Sequence, residues 1–344
     1  MAKISIVLPI YNVAPYLPRC LDSVLNQTLT DIEIILGTDG PEDCNKICAA
    51  YAEKDKRIRI LSSPGSYGKA FNKALETANG EYIGIVETDD WCDPRMFEKL
   101  YVAAKKNNAD ISKCGFVFAY DDNRKNESYS FFKQEKCFNI TEYPQAFECA
   151  PSVWSAIYRT EFLRQKKIIM IEERKPFIDS PFRSETFLKA QKICGIPDTL
   201  YFYYQDNPNQ TVKHNQGNSE ILKSEKWLYK RVSLNDMSKA VASYFFKATL
   251  ISFQWDFNRL NDEESRSVFR KTVSPFLLEL PMNNIDKNLV GQKSWQFKEY
   301  LLGNADSWRI EYASWLQWIF YLRNVGEFKV LNIFGFKIKL RRNG

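Results

Sequence analysis

Histidine is almost missing from this chain: His214 is the single one in 344 residues. A Ser-His or Cys-His nucleophile triad, or a metal site built from several histidines, is thereby nearly excluded. Acid–base chemistry falls mainly to carboxylates. The eight cysteines include no C-x-x-C pair, which argues against a zinc knuckle. Met1-Ala2-Lys3 runs straight into strand-like sequence without a secretory h-region. Scattered cysteines in such a chain are expected to be reduced thiols, and the chain to be cytoplasmic. No apolar run approaches the roughly 20 residues that span a bilayer. Charge is nearly balanced, with 48 basic and 42 acidic residues and a net +6. That excess is too mild to argue for nucleic acid, though it suits an anionic surface. Internal repeats and low-complexity tracts are also absent.

What is present is an ordinary globular composition, 44% hydrophobic and 26% charged, with room for one large domain or two medium ones. Aromatic residues reach 15% and gather toward the C-terminus. To about residue 118 strand and helix alternate. Strands are expected at Ile4–Leu8, Ile32–Leu36, Ile58–Leu61, Tyr82–Val86 and Asp110–Phe118. Helices are expected at Pro15–Asn26, Glu42–Lys54, Lys69–Ala78 and Pro94–Asn107. Single helices between strands imply parallel pairing with right-handed crossovers, hence a doubly wound α/β sheet. Ligands of such sheets sit beyond the carboxyl ends of the strands. Residues 119–150 are polar and irregular and are expected to be a mobile insertion. From about 218 the pattern turns helical, and Phe328–Leu340 reads as a hairpin followed by basic residues.

The most telling stretch is Tyr82-Ile83-Gly84-Ile85-Val86-Glu87-Thr88-Asp89-Asp90-Trp91. An apolar strand ends in three carboxylates within four residues. Like charges this close repel unless something positive sits among them, and a hard divalent cation carrying a phosphorylated ligand is one answer. A solvated acidic loop before a helix cap is the other. Asp39 follows the second strand, where it can accept from a base imide or a ribose hydroxyl, or simply open a turn. Gly65-Ser66-Tyr67-Gly68-Lys69-Ala70 lacks the glycine and the Ser/Thr of a phosphate loop. Its helix start with Lys69 can face an anion, or its glycines can make a tight turn. Asp179, in Phe177-Ile178-Asp179-Ser180-Pro181-Phe182, is flanked by apolar residues that raise a carboxyl's pKa and favour a proton acceptor. It can equally cap the helix that Pro181 opens. His214 is a candidate metal ligand or a surface residue.

In this order the segments resemble a bacterial family 2 glycosyltransferase. Ile6-Val7-Leu8-Pro9-Ile10-Tyr11-Asn12 matches the family's "VSVIIPxYN" and Leu21–Thr28 its "CLdSilnQT". Ile32–Ile35 with Asp39-Gly40 and Asp43 matches "EIIlvDDGSxD", and Glu87-Thr88-Asp89-Asp90-Trp91 matches "DsDDw". Trp154–Tyr158 resembles "WnKLY", Asp179 with Phe182 "EDxxF", and Tyr203-Tyr204 "YYR". The resemblance implies a GT-A fold over residues 1–215 and a mainly helical region over 216–344 for acceptor or membrane association. It implies an inverting transfer from a nucleotide diphosphate sugar, most often a UDP-sugar, to a glycan or lipid-linked acceptor in surface polysaccharide synthesis. Asp89 would coordinate Mg or Mn, with His214 a weaker candidate. Pro9, Tyr11, Asn12, Asp39, Gly65, Lys69, Glu87, Thr88 and Asp90 would line the donor, and Asp179 would be the catalytic base.

The chain also departs from the pattern. Thr38 replaces the first acid of "DDG", Glu87 the first of "DxDD", and Ile178 the Glu of "ED". Phe71, Ala156 and Gln205 stand where the pattern has Arg, Lys and Arg. Such losses are compatible with an altered donor, or with a non-catalytic nucleotide-sugar-binding scaffold. A sugar nucleotidyltransferase would carry a Gly-rich, basic signature near the first strand, which Pro9-Ile10-Tyr11-Asn12 is not. The tail, with Trp308, Trp315, Trp318 and Phe320, reads either as ordinary core or as a peripheral contact with an anionic membrane at its cytoplasmic face.

Overall fold

The computed structural model describes residues 2–38, 40–62, 66–121, 126–173, 177–210, 220–260 and 262–305. It also describes the backbone of 320–325, 328–333 and 336–341. The chain opens with β1 (Ile4–Ile10), whose seven residues are all buried, as a central parallel strand requires. Helix α1 (Leu17–Leu25) buries Leu17, Cys20, Leu21 and Val24, the i, i+3, i+4, i+7 stripe of an amphipathic helix. Then follow β2 (Ile32–Thr38), α2 (Glu42–Lys54), β3 (Ile58–Ser62), α3 (Tyr67–Thr77) and β4 (Tyr82–Ile85). The short β5 (Trp91–Cys92) leads to α4 (Met96–Asn107) and β6 (Ile111–Ala119). Helix α4 closes on Asn108 in the left-handed conformation (φ 49°), a C-cap geometry that Asn tolerates.

After β6 come β7 (Glu127–Tyr129), β8 (Lys136–Phe138), β9 (Ala156–Arg159) and β10 (Ile193–Tyr204). Among the described residues the main sheet has ten strands in the order β3-β2-β1-β4-β9-β6-β10-β5, with β7 on β6 and β8 on β10. Strands β1 to β4 pair in parallel, as expected from the alternating sequence. Because β2 and β3 lie on one side of β1 and β4 on the other, the chain reverses its direction of winding between β1 and β4. A crevice opens at the carboxyl ends of strands at such a switch point. Strand β9 (Ala156–Arg159) runs antiparallel between β4 and β6, a placement that the local sequence did not announce. Strand β10 (Ile193–Tyr204) pairs in parallel with β6 and antiparallel with β5. Helices α5 (Thr160–Gln165) and α6 (Asp179–Lys189) lie between β9 and β10.

Two expectations are corrected here. Within 119–150 the described residues are built into the core rather than loose. Strands β7 (Glu127–Tyr129) and β8 (Lys136–Phe138) join the sheet, and Phe132, Phe138, Phe147 and Cys149 are buried. Their polar neighbours face outward, which hid a short-strand pattern too brief to register. Nor are all cysteines free thiols. Cys137 and Cys194 face each other across the antiparallel β8–β10 pair and form a disulfide, with Cα atoms 4.1 Å apart.

The C-terminal region contains α7 (Glu220–Tyr229), α8 (Lys239–Phe257), α9 (Glu263–Glu279), α10 (Lys287–Val290) and α11 (Gln292–Leu301). Helix α8 is the central one, burying Phe245, Phe246, Leu250, Phe253 and Phe257, and α7, α10 and α11 pack on it. Ser238 caps α8 by accepting from the Val241 N–H. The expected hairpin is part of a three-stranded antiparallel sheet, β11 (Phe320–Val325), β12 (Phe328–Ile333) and β13 (Phe336–Arg341). Among the described residues no helix is long and apolar enough to cross a membrane.

Candidate active site

Beyond the paired ends of β1 and β4, Thr88 Oγ1 donates to the Pro9 carbonyl at 3.2 Å. Thr88 is buried, so its hydroxyl is spent on joining the two loops. Beyond Pro9, Tyr11 is 56% exposed and Asn12 adopts φ 53°, which presents this rim to solvent. Lys69 lies exposed in the first turn of α3, where its backbone N–H donates to the Ser66 cap. Asp39, Gly65 and His214 lie outside the described residues.

The three acids have different surroundings. Asp90 is fully buried and points inward. Its carboxylate accepts from Tyr201 Oη at 2.8 Å and from the Tyr204 N–H at 2.8 Å. It therefore anchors the acidic loop to β10. Burial and the neighbouring Asp89 charge push its carboxyl well above the usual range. Asp89 is half-buried. Asn207 Nδ2 donates to its Oδ2 at 2.8 Å, and Arg19 Nη2 donates to its carbonyl at 3.1 Å. Glu87 is half-buried, and its N–H donates to Tyr201 Oη at 3.0 Å. Burial pushes its carboxyl up to about 8, and the charges of Asp89 and Asp179 add to this.

Asp179 comes from a different element, the first position of α6, yet it acts on Glu87 electrostatically. Burial raises its carboxyl too, opposed by its own backbone N–H, Lys113 and Arg183. The preceding Phe177 has φ 65°, a left-handed conformation that is strained for a bulky residue and recurs at functional sites. The structure thus gathers Glu87, Asp89, Asp90 and Asp179 from positions up to 92 residues apart (179 − 87).

Several residues of this site were not singled out from sequence. Arg19 stacks its guanidinium 3.9 Å from the Trp91 ring and 4.3 Å from the Tyr204 ring. Trp91 in turn stacks on Phe202. Nothing in the α1 sequence distinguishes Arg19 from a surface arginine. Asn207 sits in a turn-like Asp-Asn-Pro-Asn run, which reads only as a loop. Lys113 is buried inside the apolar Ile111–Ala119 run, and a charge within such a run is the signal that could have found it.

The residues fit a divalent cation of the kind held by one or two carboxylates together with ligand phosphates. Asp89 lies near a second acid, Glu87, whose carboxyl is raised to about 8 by burial and by the charges of Asp89 and Asp179. Among the described residues no three His, Cys, Asp or Glu side chains converge as in a cage of protein ligands alone.

The family model for glycosyl transferase family 2 matches residues 5–168. Over 211 residues the chain is 33% identical to glycosyltransferase GlyG of Streptococcus pneumoniae, covering 58% of this chain and 70% of that protein. The chain belongs to glycosyl transferase family 2. A second relative, the uncharacterized glycosyltransferase EpsJ of Bacillus subtilis, is 34% identical over 217 residues, which are 61% of this chain and 63% of EpsJ. The chain thus spans less than two thirds of that relative. In three dimensions it aligns with the crystal structure of S. aureus TarS 1-349 in complex with UDP-GlcNAc. The TM-score is 0.71 at 17% identity, over 99% of both chains. The fold is GT-A, extended by the helical C-terminal region.

Proposed function

We propose that this family 2 member transfers a sugar from a UDP-sugar to a hydroxyl of a glycan or lipid-linked acceptor in bacterial surface polysaccharide synthesis, inverting the anomeric centre. The observation that carries this reading is that Asp89, on the acidic loop, and Asp179, on a separate helix, both bear on Glu87 beyond the end of β4. One is a half-buried carboxylate on the acidic loop. The other is a carboxylate on a separate helix, its pKa raised by burial. In support, solved structures of like fold hold UDP-GlcNAc or UDP.

Asp89 would hold Mg2+ or Mn2+, which when bound neutralises the charge growing on the leaving diphosphate. Asp90, Tyr201 and Thr88 keep the loop that carries Asp89 in place. Tyr11, Asn12, Asp39, Gly65, Lys69 and Glu87 border the donor. Asp179 takes the proton of the acceptor hydroxyl as its oxygen forms the new bond to the anomeric carbon and the bond to the diphosphate oxygen breaks. Residues 1–215 form the donor-binding unit, and 216–344 serve the acceptor or an anionic membrane surface.

The test is release of UDP from a panel of UDP-sugars with Mn2+ and a membrane extract as acceptor source. Asp89→Asn and Asp179→Asn are each expected to cut turnover by at least about 100-fold. Full turnover in either variant would overturn the assignment of that residue. Binding of UDP without any release, across the whole panel, would favour a scaffold.

A further inference from the structure

Helix α1 runs alongside the acidic loop and holds its backbone turn after turn. Cys20 Sγ donates to the Glu87 carbonyl at 3.5 Å, and Arg19 Nη2 to the Asp89 carbonyl at 3.1 Å. Ser23 Oγ accepts from the Cys92 N–H at 3.2 Å. Just past the helix, Gln27 Nε2 donates to the Asp93 carbonyl at 2.8 Å. Positions 19, 23 and 27 are four apart and share one face, so this face tracks the loop from Glu87 to Asp93.

Arg19 is in addition held from outside its helix. Its guanidinium sits in the corner of two rings, 3.9 Å from the Trp91 centroid and 4.3 Å from that of Tyr204. Those rings are tilted 51° to each other. Nη1 lies 3.8 Å from Asp121 Oδ1, and Tyr204 Oη donates to Oδ2 of the same carboxylate. A planar guanidinium lies flat on an aromatic face and still presents its fork edgewise, which an ammonium cannot do.

The peptide that follows Asp89 is thereby fixed at both ends. Arg19 takes its carbonyl, and the next side chain, Asp90, accepts from Tyr201 Oη and the Tyr204 N–H. Tyr204 serves both ends, with its N–H on Asp90 and its ring under Arg19. Between these two anchors the Asp89 side chain leaves the backbone in one direction, toward Asn207 Nδ2.

We propose that Arg19, clamped in the Trp91–Tyr204 corner, is the positioning residue that aims the Asp89 carboxylate at the cation. This rests on the reading of Asp89 as the cation's ligand.

The test is calorimetric binding of UDP, in EDTA and in Mn2+, to wild type, Arg19→Met, Arg19→Lys and Asp89→Asn. Mn2+ is expected to tighten UDP binding to wild type. Arg19→Met should lose about tenfold or more of that gain, as when a residue that orients a metal ligand is removed. Its Kd in EDTA should stay within about twofold of wild type. A merely structural loss would instead weaken UDP equally in both conditions. Arg19→Lys keeps the charge but not the flat fork, and should share the loss. A wild-type Mn2+ gain in either Arg19 variant overturns the proposal, and so does equal weakening with and without Mn2+. If Arg19→Met does not fold, Arg19→Lys decides alone. An undiminished gain in Asp89→Asn, or no gain in wild type, would sink the metal reading of Asp89 and this proposal with it.

Discussion

Glu87 stands at a strand end under the charges of Asp89 and Asp179, and its surroundings make a prediction about stability. Its ordinary value is 4.5, and the folded protein raises it to about 8. The folded state therefore holds a proton that the unfolded chain releases. The stabilisation is complete below about pH 4.5 and is lost as pH rises through about 8. In the absence of added divalent cation, Glu87→Gln should melt at the same temperature as wild type at pH 4 and above it at pH 9. An unchanged difference between the two pH values would count against burial as the cause. Glu225 titrates in the same direction, raised to about 7 by burial, so the comparison must be between variant and wild type and not along one curve. The acids themselves were legible in sequence because three carboxylates after an apolar strand are a strong local signal. Their division of labour was not. That Asp90 turns inward depends on Tyr201 and the Tyr204 amide, more than 100 residues later.

Helix α3 shows how elements rather than single residues place the base. Its cap, Ser66, accepts from the Lys69 N–H, and its next turn packs against the segment that leads to α6. A Cβ on Gly68 would lie 1.9 Å from the Ile171 carbonyl oxygen, so only glycine allows this approach. Asn72 ties the same two segments together: its Nδ2 donates to the Met170 carbonyl at 3.0 Å and its Oδ1 accepts from the Met170 N–H at 2.9 Å. Gly68→Ala should therefore cost about 1–3 kcal/mol in urea unfolding and lower UDP release along with it. A variant as stable as wild type would show that this contact yields freely. The helices and parallel strands up to β6 could be read from period and capping, with ends displaced by one or two residues, since those cues are local. In sequence these glycines read as a tight turn. Their packing role at Gly68 depends on a backbone that arrives about 100 residues later.

Across the whole molecule the Cys137–Cys194 bridge closes a span of 57 residues and ties β8 to the strand that carries Tyr201 and Tyr204. Alkylation of denatured, unreduced protein should label six cysteines, and all eight after reduction. Eight labels without reductant would contradict the bridge. Cys137→Ser should lower the unfolding free energy by about 2–4 kcal/mol, measured by denaturant titration. What the sequence by itself determined is the α/β alternation, the acid at the strand ends and, through motifs in order, the family. Each of these depends on residues within one or two elements of each other, where period, caps and turn chemistry act. The tertiary structure alone decided the insertion of β9 between β4 and β6, the pairing of two cysteines, and the inward turn of Asp90. These follow from strand order and register, which are selected by burial summed over the whole sheet and leave no mark on any short stretch of chain.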